Sequence, residues 1–429
     1  MNPSLLKALK ILDAHLPEIE AANQEAIQRI QSSGSRLIAV RTAREVVPGM
    51  HDKMLLHCGP NLPYEHMDGP MKGAIAGALV YEGLAPTIEE ATLLAESGAI
   101  EFGSCHEHQA VGPMTGILSA SMPVHVFYNP TFGNYSYCSI NEGLGKVLRF
   151  GANSPEVIQR LRWMEKEFAP VLHEALQLTE NGIDIKDIIV RALHMGDEVH
   201  NRNRAATSLW FRTITDLILQ TSFSLEQKRA ALSFIERNDH YFLNLSMGSC
   251  KVMMDAARGI PHSSVCVVLA KNGYEFGLQL AGLPHQWFLC ESGYAKGILF
   301  KGYTQADAAR DMGDSSITET IGIGAFAMAS APAIVAYVGG TVEEVNELSK
   351  QMYLICTGVH DHFRLPALNF KPTPLGIDVI KVVKTRIVPV SNAGISHKQA
   401  GVGQIGAGIV FTPMAAYEAA CIGLAASFE

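Results

Sequence analysis

Ser154-Pro155-Glu156-Val157-Ile158-Gln159-Arg160-Leu161-Arg162-Trp163-Met164-Glu165-Lys166-Glu167-Phe168 is the stretch on which the fold reading turns. Serine followed by proline is a helix start, because proline's fixed φ and missing N–H cost nothing in a first turn. Val157, Leu161, Met164, Phe168 and Leu172 then recur at helical spacing. The signals continue downstream. Ser224 with Gln227 forms a capping box, and Leu243, Met247, Cys250 and Met254 form a second apolar stripe. A helical block therefore runs over about 154–258.

On both sides of that block the pattern changes. From Arg36 to Ala152, short apolar runs such as Leu37–Val40 and Val124–Tyr128 alternate with Gly/Pro loops, which reads as α/β. After it, Val265–Leu269, the turn pair Asn272-Gly273 and Tyr274–Leu280 spell a β-hairpin. Thr341 with Glu344 starts a further helix, and Pro413 starts the last one. At the N-terminus, Leu5, Leu9, Leu12 and Leu16, then Ile19, Ala22, Ala26 and Ile30, give amphipathic helices broken near Pro17. The expectation is an α+β multidomain chain: helices over 1–35, an α/β region over 36–153, a helical insertion over 154–258 and an α/β region over 259–429.

Composition narrows the function. With 429 residues, 48% hydrophobic and only 18% charged, the chain has material for more than one core and none of the marks of disorder. A net charge of −8 argues against a nucleic-acid or anionic-membrane surface, so an anionic ligand needs local cations. Eight cysteines without a C-x-x-C pair point to free thiols and a cytoplasmic home. Ile321–Gly340 is uncharged, but its Ala, Gly, Ser and Pro332 favour a buried loop-helix unit over a membrane span.

Six segments carry the candidate chemistry. Cys105-His106-Glu107-His108 precedes a Gly/Pro loop, Gly112-Pro113-Met114-Thr115-Gly116, whose N–H groups would be free to face a ligand while the side chains before it transfer protons or bind metal; a buried turn whose histidines satisfy local carbonyls is the plainer alternative. Gly69-Pro70-Met71-Lys72 places Lys72 near a helix N-terminus, a favourable place for an anion; a tight turn with a surface lysine is the plainer alternative. Asn141-Glu142-Gly143-Leu144-Gly145-Lys146-Val147-Leu148-Arg149 sets Lys146 and Arg149 on one face if helical, where the guanidinium could grip a phosphate or carboxylate bidentately. Met195–Asn203 could put Asp197 and His200 on one helical face, as two metal ligands or as a hydrogen-bonded network. Asp314 and Ser315 stand where they could cap a helix. Gly394–Gly408, which includes His397 and Gln404, reads as a glycine-rich ligand loop without the strand-loop-helix context of a dinucleotide fingerprint.

Together these segments resemble the YlbE/AllG-type family of bacterial proteins, which includes a subunit of oxamate carbamoyltransferase of allantoin catabolism. The likeness rests on Gly69–Ala74, Cys105-His106, Ala110–Met114, Asn141–Gly143, Gly145–Val147, Arg149–Ala152, Met195–Glu198, His200, Arg202-Asn203, Gly313–Ser315, Glu319-Thr320 and Gly403–Gly408, nearly the whole chain. It implies two α/β pieces of uncommon fold with a small helical domain, partner subunits including one like FdrA, and phosphorolysis of oxalurate to oxamate and carbamoyl phosphate. On that reading the substrates are a small anionic ureido or amide compound and phosphate. The expected proton-handling groups are His106, His108, Glu142 and Asp314. Lys72, Gly112, Gly116, Asn141, Lys146, Arg149, His397 and Gln404 are the expected anion and substrate contacts. No metal or organic cofactor is expected, since no complete ligand motif is present, and self-association is. The rivals are a metal-dependent amidohydrolase or lyase using His106, His108, Asp197, His200 or Asp314, and a non-catalytic scaffold subunit.

Overall fold

The computed structural model describes residues 3–429. Helix Pro155–Trp163 begins at the proline, widens into a π-helical turn at Met164–Phe168 and continues as Ala169–Gln177. Val157, Leu161, Met164, Phe168 and Leu172 are all buried, so the apolar spacing is the packing face. Helices Ile185–His194, Arg204–Gln220, Leu225–Glu236 and Phe242–Asp255 complete the helical stretch. The Ser224/Gln227 capping box forms, with Gln227 N–H donating to Ser224 Oγ at 3.2 Å. Not all of the stretch is helical. Ile183 and Asp184 pair with Leu37 and Arg36 as a short edge strand, following Gly182 at φ +70°.

The rest is a mixed α+β architecture of several small sheets. The largest has the order 110–111, 135–139, 123–128, 36–42, 183–184. A three-stranded sheet joins 101–104, 54–57 and 118–119, and a four-stranded one runs 283–291, 275–280, 266–272, 312–313. The Asn272-Gly273 turn closes the expected hairpin, with Phe276 opposite Lys271 and Gly273 at φ +85°. Strands 296–299, 404–411 and 390–396 form another sheet, and 356–365 pairs with 371–377. The two N-terminal helices, Pro3–Ala14 and Leu16–Ser32, break at His15 beside Pro17. They return to the C-terminal half: Leu5, Leu9 and Leu12 share a core with Ala416, Ala420 and Leu424 of the last helix, Met414–Ala426. A second core links Ile30, Leu37, Phe127, Phe168, Trp210, Met253, Val267 and Phe363. It holds helices and strands from both sides of the helical stretch to one another. Ile321–Gly340 is broken into short helical turns, its 324–330 section wholly buried. Among the described residues no helix is long and apolar enough to cross a membrane.

Two sequence readings change here. Gly394–Gly408 is not one loop: Gly394–Ser396 and Gln404–Gly408 lie in paired strands, with a turn over 397–403. The glycines serve close strand approach, since a Cβ at Gly408 would sit 2.2 Å from Lys296 O. Residues 141–147 are not helical either; only Leu148–Phe150 makes a single 3₁₀ turn.

Candidate functional site

A cavity of about 130 Å³ lies where three stretches meet: the loop after Val111 with the 144–150 turn, the helical stretch, and the C-terminal strands. By the roughly 30 Å³ that each water occupies in the liquid, it holds on the order of four waters' volume, which suits a small acid or amide rather than a nucleotide.

Arg149 reaches it from the first stretch. Its side chain is 7% exposed, its Nε and Nη2 donate to Gly143 O at 3.1 and 2.7 Å, and its guanidinium lies 4.8 Å over the Phe150 ring. Burial lowers its pKa, with Glu142 opposing, to about 10, so it stays charged at neutrality. No carboxylate among the described residues forms an ion pair with it. Glu142 instead uses both oxygens on backbone: Oε2 accepts from Leu148 N–H at 2.8 Å and Oε1 from Arg149 N–H at 3.2 Å. Asn141 is fully buried and also holds this turn, accepting from Gly143 N–H at 2.8 Å and donating to Asn244 Oδ1 at 2.7 Å. A buried guanidinium with no carboxylate bonded to it is costly unless a ligand supplies one, since Glu142 acts on it only through space.

His200 reaches the cavity from the helical stretch. The helix has ended at His194, so Asp197 and His200 do not share a helical face. Asp197 caps the next helix through Ala206 N–H at 2.8 Å and pairs with Arg202. His200 Nδ1 lies 2.8 Å from Glu319 Oε1 and 2.9 Å from Thr318 Oγ1. Burial works to raise the Glu319 pKa, but the His200 charge and hydrogen bond and the N–H groups of Ala325 and Asn392 outweigh it and leave the carboxyl below its ordinary value. An ionised carboxylate can only accept, so Nδ1 carries a proton and Nε2 is the nitrogen left for chemistry. His240, Ser315 and Gln404 line the same space. Gln404 accepts from Gly145 N–H at 3.0 Å and donates to Gly406 O at 3.2 Å, locking the 144–150 turn to the C-terminal strands.

The other expected site residues lie elsewhere. Gly112 and Gly116 do not offer free N–H groups: Gly112 donates to Asp314 Oδ2 at 3.0 Å and Gly116 to Pro113 O at 3.1 Å. Asp314 is no helix cap, because its carboxylate also accepts from Gly59 N–H at 2.7 Å; burial pushes its pKa up to about 7. His106 has a wholly buried side chain, with Nε2 3.5 Å from Asp314 Oδ1. That is too long for a hydrogen bond, and burial, with Lys251 and Arg258 adding, drives its pKa well down, so the contact is not an ion pair. His108 Nδ1–H donates to Pro48 O at 2.6 Å, turned from the cavity. Lys146 is exposed and does not line the cavity, which removes the two-cation clamp expected from its spacing with Arg149. At Lys72 the helix N-terminus is taken by Asp68, which accepts from Met71 N–H at 3.1 Å, while Lys72 Nζ sits 5.1 Å over the Tyr64 ring. His397 backs the 397–403 turn by accepting from Gln399 N–H at 3.0 Å. Among the described residues no three His, Cys, Asp or Glu side chains converge as a metal cluster would require. His240 was missed in the sequence, and Ser315 was read there only as a possible helix cap. His240 stands in an unremarkable Asn-Asp-His turn that only the fold carries to Arg149.

Residues 100–315 match the family model described as oxamate carbamoyltransferase subunit AllG. The chain is 47% identical over 424 residues to the uncharacterised protein YahG of Escherichia coli K12, covering 98% of this chain and 90% of that one. It is 40% identical over 411 residues to the oxamate carbamoyltransferase subunit AllG of the same strain, covering 95% and 98%. A crystal structure of a conserved protein of unknown function from Enterococcus faecalis V583 superposes with a TM-score of 0.94 at 44% identity, covering 96% of this chain and 99% of that one. Both the extent of these matches and the residues that carry them place this chain in the AllG family of oxamate carbamoyltransferase subunits.

Proposed function

We propose that this chain is a subunit of a cytoplasmic carbamoyltransferase that converts oxalurate and phosphate to oxamate and carbamoyl phosphate, and that the Arg149 cavity holds the ureido acid. The observation that carries the reading is a buried, unpaired guanidinium opening on the same small cavity as a histidine backed by a carboxylate. Arg149 binds the substrate carboxylate. A phosphate oxygen attacks the ureido carbonyl carbon, a new C–O bond forms and the bond to the oxamate nitrogen breaks. His200 Nε2 takes the proton of the attacking monohydrogen phosphate and returns it to that nitrogen, while Glu319 stabilises the imidazolium formed between the two steps.

The cavity lining has one permanent cation for two anionic reactants. Phosphate therefore needs positive charge from a second subunit, for which an FdrA-like partner or another copy of this chain is the candidate. Leu144, Phe300 and Tyr337, exposed by 47%, 48% and 40%, line the same cavity and give such a subunit an apolar rim to cover. The test is an assay of carbamoyl phosphate released from oxalurate and phosphate, by this chain alone and with the other subunits of an oxamate carbamoyltransferase. Activity only in the mixture, abolished by His200→Gln in this chain, is expected. Full activity of the mixture carrying that substitution would exclude the mechanism, and full activity of the chain alone would exclude the subunit requirement.

A further inference from the structure

A second cleft, of about 570 Å³, lies on another side of the 105–116 segment, and the proposed reaction leaves it unused. It is lined by His106, Glu107, Asn134, Asp255, Arg258 and Gln279, among others, and shares none of its lining with the Arg149 cavity. Two of its buried groups lack partners. Both ring nitrogens of His106, a residue 3% exposed, are without a hydrogen bond, as is Asn134 Oδ1, whose Nδ2 donates to Val252 O at 2.8 Å. Polar groups are rarely left so when buried, because each forfeits its bonds to water without replacement.

The charges around the cleft cancel. Asp255 Oδ1 lies 3.7 Å from Arg258 Nη1 and 2.8 Å from the buried Lys251 Nζ, and Glu107 accepts from Trp287 Nε1 at 2.9 Å. Arg258 is also already committed, donating to Gln279 Oε1 at 3.0 Å and to Pro284 O. This is the reverse of the Arg149 cavity, where a cation waits for an anion. An uncharged molecule offering both N–H donors and a carbonyl satisfies His106 and Asn134 without adding charge.

We propose that this cleft is a second ligand site, one that takes an uncharged amide or ureide through His106 and Asn134. The probe is hydantoin, an uncharged cyclic ureide, with hydantoate, its ring-opened carboxylate, as the charged counterpart; binding is followed by ligand-observed NMR titration on the full chain at millimolar concentration. Hydantoin is expected to bind the wild type and the Arg149→Met variant equally, and to weaken by about tenfold or more in His106→Leu and in Asn134→Ala, the loss of a buried hydrogen bond. Thermal melting of each variant establishes that it is folded, and if His106→Leu is not, Asn134→Ala decides. Four results overturn the proposal: no hydantoin binding to the wild type, loss of binding in Arg149→Met, unchanged binding in the folded cleft variants, or displacement of hydantoin by hydantoate in Arg149→Met. The first and last bear on the cleft alone and leave the carbamoyl-transfer reading untouched.

Discussion

Glu319 receives four contacts, from His200 Nδ1, Thr318 Oγ1 and the N–H groups of Ala325 and Asn392, which fixes it as the group that orients His200. Glu319→Gln keeps the shape but supplies a neutral partner that no longer favours the imidazolium. In the assembled enzyme it should lower kcat by about a hundredfold or more with a smaller change in KM, within the range known for the orienting carboxylate of a catalytic histidine. Steady-state kinetics across pH check this, and an unchanged kcat would reduce the pair to a structural contact. In the sequence His200 was visible as part of the Met195–Asn203 cluster and Glu319 among the residues of the family likeness, 119 residues apart. Nothing local reports a partnership at that separation, whereas Arg149 could be picked out because a cation among apolar neighbours and glycines is locally anomalous.

At the level of the element, the 112–116 loop is held from several directions. Asp314 accepts from Gly112 N–H, Cys58 N–H donates to Thr115 O at 3.0 Å and Cys105 Sγ–H to Gly116 O at 3.3 Å. Gly116 has φ +63°, and a Cβ there would stand 2.7 Å from Cys58 N, so the position demands glycine both by conformation and by space. Gly116→Ala should cost about 2–4 kcal/mol in urea unfolding, combining left-handed strain with overpacking; a loss below 0.5 kcal/mol would mean the loop is softer than its contacts imply. Elements were the most legible level of the chain. The helix starts at Pro155, Ser224 and Thr341 and the Asn272-Gly273 turn are local chemistry and form as read. The glycine-rich hairpin at 390–411 was misread as a loop because its glycines answer to the neighbouring strand at Lys296, a contact that periodicity does not record.

Across the whole molecule, burial sets the response to pH. Folding raises Glu198 to about 8, Asp314 to about 7 and Asp68 and Asp197 to about 6. Each group binds its proton more tightly when folded, so its contribution is full below the unfolded pKa of about 4 and is lost as pH rises through the folded value. Buried His57 and His125, lowered by burial, act oppositely and only below about 6.5, the unfolded value. Above that pH the buried histidines no longer oppose the carboxyls. Melting temperature should therefore fall between about pH 6.5 and 8.5, and less steeply in Glu198→Gln; a flat or rising curve would contradict these environments. The site itself, assembled from residues as far apart as Pro113 and Ala407, belongs to this scale and was legible only in its separate pieces. In the proposed reaction Arg149 alone, not a Lys146/Arg149 pair, holds the substrate anion. Calorimetric titration of oxamate into the chain measures that directly: affinity should be unchanged in Lys146→Ala and should fall by about tenfold or more in Arg149→Lys, which loses the planar fork and its hold on Gly143 O. Oxamate binding that survives Arg149→Lys undiminished, or that vanishes with Lys146→Ala, would contradict the account.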